Sequence, residues 1–158
     1  MSQTVELGTI EREIHVDASP EVVFEVISTP AHVREWWSDE ADFPSEPGGV
    51  GWIGFGEDPA ALEHRASFTV VDKEPPHRFS FRWCHPEGVP AAQDNSFLVT
   101  FELSPSGGGT LLRLTETGFR EQGWEVAVLE EQYQEHVKGW NHFVPRLADY
   151  APRAATGR

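Results

Sequence analysis

The stretch from Trp124 to Tyr150 reads WEVAVLEEQYQEHVKGWNHFVPRLADY. Within it Val126, Leu129, Tyr133, Val137, Trp140, Val144 and Leu147 step by three or four residues, and at about 100° per residue they share one face of a helix. One long amphipathic helix is predicted. His136 falls inside the same stripe. Pro145 removes a backbone hydrogen bond to Asn141, so a kink or the end of the regular helix is expected there, with residues 151–158 as a frayed tail.

A helix with one apolar stripe needs an apolar surface to lie on, and the preceding chain supplies it. Phe79, Phe81 and Trp83 alternate strictly with Arg78, Ser80 and Arg82, the pattern of a strand buried on one face. Ala66, Phe68 and Val70 alternate in the same way, as do Phe97, Val99, Phe101 and Leu103. Val50 to Phe55 reads as a strand that Gly51 and Gly54 leave open to close approach or bending, and Glu57 to Ala61 reads as a turn. Thr110 to Glu116 returns as a strand after the flexible connection Ser104 to Gly109. Short connections between successive strands favour an antiparallel meander.

Upstream, Ile10, Ile14 and Val16 alternate with Glu11, Glu13 and His15 as a first, half-buried strand. Ser19-Pro20-Glu21 then carries an N-cap, a first-turn proline and a first-turn acid, and Thr29-Pro30 repeats the start signal for a second short helix running to Trp37. Ser38 to Pro47, acidic and punctuated by prolines, reads as a loop. The order is strand, two short helices, five or six strands and one long helix. That predicts an α+β architecture in which a curved antiparallel sheet wraps the C-terminal helix.

The 158 residues suit a single domain. Twelve basic against 26 acidic side chains give a net charge of −14, and residues 1–64 carry 14 carboxylates against Arg12 and Arg34 alone. Nucleic-acid affinity depends on cations that neutralise phosphates, so a nucleic-acid partner is not expected. An anionic membrane surface is disfavoured on the same ground. Met1 to Gly8 lacks the basic start and apolar run of a signal peptide, and no apolar run approaches a membrane span, so a cytoplasmic protein is expected.

Cys84 is the single cysteine, which leaves no intrachain disulfide. Cys84 and His85 lie side by side on extended chain and point to opposite faces, so they cannot readily share a proton; an inert thiol is expected. The seven histidines show neither His-x-His nor His-Glu-x-x-His spacing, so no metal is expected. The glycines of Gly107 to Gly109 lie between strands rather than ahead of a helix, and no nucleotide or other cofactor is predicted. The aromatic load is left over: six Trp, ten Phe and two Tyr beside a single Met, and large rings both fill cores and line cavities for apolar ligands.

Several segments in order carry a resemblance. Glu11 to Ile14, Ala18 to Phe24, Thr29-Pro30 to Trp36-Trp37, Glu74 to Phe79, the Gly107 to Thr110 hairpin and Glu135 to Asn141 together resemble the AHSA1-like branch of the START-like (SRPBCC, Bet v 1-like) superfamily. The resemblance covers residues 9–150 and leaves 1–8 as a flexible N-terminus. It implies a helix-grip fold with a hydrophobic cavity between the sheet and the last helix. Its members bind lipids, sterols, polyketides or other apolar molecules, and a minority are cyclases or related enzymes. The branch is named after an activator of the Hsp90 ATPase, whose chaperone work also uses a separate N-terminal domain. The name alone therefore does not bring a chaperone partner to this chain.

On that resemblance Phe68, Phe79, Phe81, Trp83, Phe97 and Phe101 converge with Tyr133, His136 and Trp140 on one interior, with Trp36 and Trp52 added to the cavity set. Any one ring serves equally well as core filling. Trp36-Trp37 either anchors the second helix with one ring partly exposed or forms a wall at the cavity mouth. His136 is either a hydrogen-bonded core residue or the group that orients or protonates a ligand carbonyl, and it is the one catalytic candidate. Arg82 and Arg113 fall on the polar faces of their strands. The expected partner is a small apolar molecule, neutral or cationic because the acidic half lies near the expected mouth. Monomer and homodimer both fit.

Overall fold

The computed structural model describes residues 8–56 and 64–156. Strand β1 (Thr9–Val16) is followed by helices α1 (Pro20–Ser28) and α2 (Pro30–Trp36) and by strands β2 (Glu40–Asp42), β3 (Val50–Phe55), β4 (His64–Glu74), β5 (Arg78–Trp83), β6 (Phe97–Ser106) and β7 (Gly109–Thr117). A short 3-10 turn (Arg120–Gln122) leads to α3 (Val126–Thr156). The described strands form one antiparallel sheet in the order β1-β7-β6-β5-β4-β3-β2. This is the expected α+β arrangement, with α1, α2 and α3 on one face of the sheet.

Local chemistry explains the entry to the helices. The Ser19 hydroxyl accepts a hydrogen bond from the Val22 amide at 3.3 Å while Pro20 occupies the first turn, where its missing N–H costs nothing. The Thr110 hydroxyl donates to the Ala18 carbonyl at 2.7 Å, tying the start of α1 to β7. The Trp36 indole donates to the Val26 carbonyl at 3.0 Å and locks α2 against α1.

Register sorts the side chains. Phe79 faces Phe101, Phe81 faces Val99 and Trp83 faces Phe97 across β5 and β6. Phe101, Leu103 and Val99 in turn face Leu114, Leu112 and Glu116 of β7. All of these lie on the inner face, beneath the helices, because side chains alternate strictly along a strand. The register shift between Val70 and Asp72 adds a residue to β4 opposite β5 and turns Val71 out to solvent, the kind of irregularity that bends a strand.

Several sequence expectations need correction. The acidic Ser38–Pro47 segment is not all loop: β2 pairs with β3 there, and the backbone passes so close that a Cβ on Gly51 would lie 2.1 Å from the Asp42 carbonyl oxygen. The Ser104–Gly109 connection shrinks to Gly107-Gly108, both at positive φ (54° and 85°), which suits a tight hairpin, so Ser104 to Ser106 are strand. Neither Pro145 nor the supposed tail ends the last helix. It runs through Pro145 and Pro152 to Thr156, with Ala151 fully buried, because side-chain packing on the sheet outweighs the lost backbone bonds. Val126 is 71% exposed and drops out of the apolar stripe, since the helix has only begun there. The turn expected at Glu57–Ala61 and the N-terminal residues 1–7 lie outside the described residues.

Candidate functional site

Glu116 lies on the inner face near the C-terminal end of β7, the second strand of the sheet, and its side chain has no solvent exposure. Strand parity puts it there: Leu112, Leu114 and Glu116 occupy successive inward positions. Burying a carboxylate among rings costs several kcal/mol unless donors reach it. Three do. The Trp83 indole donates to Glu116 Oε2 at 2.7 Å, the Trp140 indole to Oε1 at 2.8 Å, and His136 Nδ1 lies 2.8 Å from the same Oε1. Strand β5 thus supplies one donor, and α3 supplies two from positions one turn apart.

His136 sits among rings, its centroid 4.5 Å from Phe97, 5.0 Å from Phe119 and 5.3 Å from Trp83. Its side chain is 12% exposed. It borders a half-open cleft of about 90 Å³ between the sheet and α3, walled by Trp37, Phe55, Trp83, Trp140 and Phe143, where Gly139 removes a side chain from the helix surface. Phe55 and Phe143 stand 6.1 Å apart at its edge. Trp37 packs on Trp83 at 5.0 Å and on Trp140 at 5.2 Å.

The residues singled out from sequence divide into three groups. Trp83, His136 and Trp140 meet at Glu116, with Phe97 against His136. Tyr133 lies beyond, edge-on to Phe119, its hydroxyl donating to the Thr9 carbonyl at 3.0 Å. Phe68, Phe79, Phe81, Phe101 and Trp36 are fully buried and line no part of the cleft; they pack on one another, on Phe43 and Phe24, and behind the cleft walls Trp37 and Trp140. Trp52 must be removed from the set: it alternates with the buried Ile53, so it faces outward, where the Arg65 guanidinium lies 4.1 Å over its ring. The Trp36-Trp37 alternatives resolve differently from either expectation. Both rings are buried and stacked, and Trp37, rather than Trp36, lines the cleft.

Sequence reasoning missed Glu116, Phe55 and Phe143 as site residues, and it offered Trp37 only as half of a pair at the cavity mouth. A signal for Glu116 existed: inward parity after Leu112 and Leu114, opposite a face rich in N–H donors.

A larger concavity, about 800 Å³, lies on the outer face between β3, β4 and the chain following β5. Three of its polar groups, His85, Thr69 and the Val89 carbonyl, already engage one another. Buried His85 uses both ring nitrogens, one 2.9 Å from the Thr69 hydroxyl and the other 3.1 Å from the Val89 carbonyl. Burial pushes the Cys84 thiol pKa well up, with the Glu116 charge as a second cause, which suits an unreactive thiol. The smaller cleft beside α3 is bordered by Trp83, His136 and Trp140, the three residues that meet at Glu116. Arg113 pairs at the surface with Glu11, and Arg82 reaches the Ala92 carbonyl and the Ser96 hydroxyl at 3.4 Å. Among the described residues no group of three His, Cys, Asp or Glu side chains gathers as a metal site, and no helix is long and apolar enough to cross a membrane.

A curved antiparallel sheet closed by a long C-terminal helix defines the class as helix-grip. Within it, the chain belongs to the AHSA1 family, whose model, described as activator of Hsp90 ATPase homolog 1-like protein, matches residues 17–151. Solved structures agree on the fold. Protein MLL2253 from Mesorhizobium loti is 22% identical with a TM-score of 0.71, over 92% of this chain and 97% of that one. The Aha1 dimer from Colwellia psychrerythraea is 17% identical with a TM-score of 0.65, over 89% and 93%. DynU16, a protein of the dynemicin biosynthetic locus, is 23% identical with a TM-score of 0.67 over 90% of this chain, which spans only 46% of DynU16. No curated protein matches the sequence.

Proposed function

We propose that the chain binds a small apolar molecule in the cleft between the sheet and α3. The observation that carries this reading is the half-open space walled by Trp37, Phe55, Trp83, Trp140 and Phe143, with His136 and Glu116 beneath it. Aromatic walls supply most of the affinity of such sites, and a few polar groups orient the ligand. The volume limits what fits. A closed cavity of about 150 Å³ encloses benzene, so a cleft of about 90 Å³ seats the edge of one ring or a short chain, the remainder lying at the mouth. Because three of its walls are tryptophans, ligand entry should change the intrinsic fluorescence. Titration with aromatic compounds, sterols and fatty acids, read by tryptophan fluorescence and thermal shift, tests this. Saturable quenching with a raised Tm is expected, and no response to any class would overturn the reading.

A second reading is an enzyme of the cyclase or hydratase kind with His136 as acid or base. It is favoured by the short contact to Glu116, since a carboxylate that orients an imidazole is the usual partner of a general base. His136→Ala should then abolish turnover of a substrate found in the ligand screen while the fold is retained. Unchanged turnover would remove this reading.

A further inference from the structure

Glu116 also determines what His136 can offer a ligand. An ionised carboxylate is acceptor-only, and indole N–H is donor-only, so Glu116 Oε1 and Oε2 both act as acceptors toward Trp140 and Trp83. The remaining neighbour, His136 Nδ1, then meets an acceptor and must carry the proton. In the neutral ring this leaves the lone pair on Nε2, on the side away from Glu116. Nε2 has no protein partner among the described residues. Nor is it sealed in: the only fully buried side-chain polar atom there without a partner is Ser38 Oγ. His136 is itself one of the residues that border the cleft.

We propose that this arrangement makes the cleft selective for a neutral ring bearing a hydroxyl donor, the phenol class, over both plain hydrocarbons and carboxylates. The proposal rests on the ligand-binding reading above and adds to it the polar contact: ligand O–H donating to His136 Nε2. A hydrocarbon of the same shape leaves Nε2 unpaired as it displaces water, which costs affinity. An anionic ligand meets the charge of Glu116 behind the imidazole, and the cleft lining holds no Lys or Arg to receive it; Glu135 at the edge is itself paired with Lys138 at 3.8 Å. Glu116 is thus a positioning residue that acts through His136.

Phenol, toluene and benzoate, titrated against the whole chain and followed by NMR, test this. Phenol should bind about tenfold more tightly than toluene, the worth of one well-made hydrogen bond, with benzoate weakest. In His136→Phe, phenol and toluene should converge to within about twofold. Nitrogen-15 spectra of histidine-labelled wild-type protein should show His136 protonated at Nδ1 and bare at Nε2, a readout that does not depend on any variant folding. Equal affinity for phenol and toluene, preference for benzoate, or a proton on Nε2 of the neutral ring would overturn the selectivity while leaving the apolar site intact. Failure of all three probes to bind would instead remove the ligand-binding reading itself.

Discussion

At one end of the interior Phe43, Phe68 and Phe81 stack with centroids 4.3 and 4.2 Å apart; at the other, Trp83 and Trp140 turn their indole N–H groups onto Glu116 at 2.7 and 2.8 Å. Phe68, Phe81 and Trp83 are inward side chains of the same sheet, joined at one end by Phe43, which follows β2, and at the other by Trp140 of α3. The first is dry, and its cohesion comes from ring contact and exclusion of water. The second holds a buried carboxylate, so its cohesion depends on every donor being in place. What separates them is one position on β7. Where Leu112 and Leu114 continue the apolar face, the rings close up; where Glu116 interrupts it, the rings present their polar edges and a cleft remains beside them.

Substitutions rank this contrast. Glu116→Ala should have the largest effect, since it leaves two indoles and an imidazole without their acceptor; a loss of about 4 kcal/mol is expected by urea denaturation. A loss below about 1 kcal/mol would mean that the polar end is not held together by its carboxylate. Phe68→Ala, in the dry end, should cost about 3 kcal/mol through the cavity it opens and leave the preference for phenol over toluene unchanged. If that preference collapses, the two ends are coupled. Ser19→Ala, remote from both, removes a helix cap and should cost about 1 kcal/mol.

The smallest effect should come from Cys84. Burial raises its thiol pKa in the folded chain above that of the unfolded chain. Its contribution to stability is therefore full below the ordinary thiol pKa and is lost progressively as pH rises beyond it. Alkylation of the native protein by iodoacetamide should stay slow at pH 8 and reach the unfolded rate in urea. Rapid native labelling would show that the thiol is open to solvent.

Much of the fold was legible because alternation and helical spacing are local signals. Phe79-Ser80-Phe81-Arg82-Trp83 announces both a strand and the face it buries, and Leu129 to Leu147 announces the helix that covers it. The misreadings came from forces that local pattern does not carry. Pro145 is a helix breaker only until packing is counted, and α3 continues past it because Leu147 and Ala151 are fully buried. Glu40 to Asp42 looked like loop because a three-residue edge strand has no periodicity to show. Trp52 was grouped with inward rings by residue type, whereas its parity with Ile53 turned it out.

The candidate site was half visible. Trp83, His136 and Trp140 could be placed on inward faces from spacing alone, and a reader of parity could have added Glu116. That the three donors meet one carboxylate could not be read, because β5, β7 and α3 are brought together by sheet register and helix docking. The sequence by itself determined the elements, their faces and the class of fold, since each follows from the period of apolar residues along a short stretch. Only the tertiary structure decided that most of the aromatic interior is solid and that one cleft is left beside a buried carboxylate. Packing and hydrogen bonding between distant segments have no local signature.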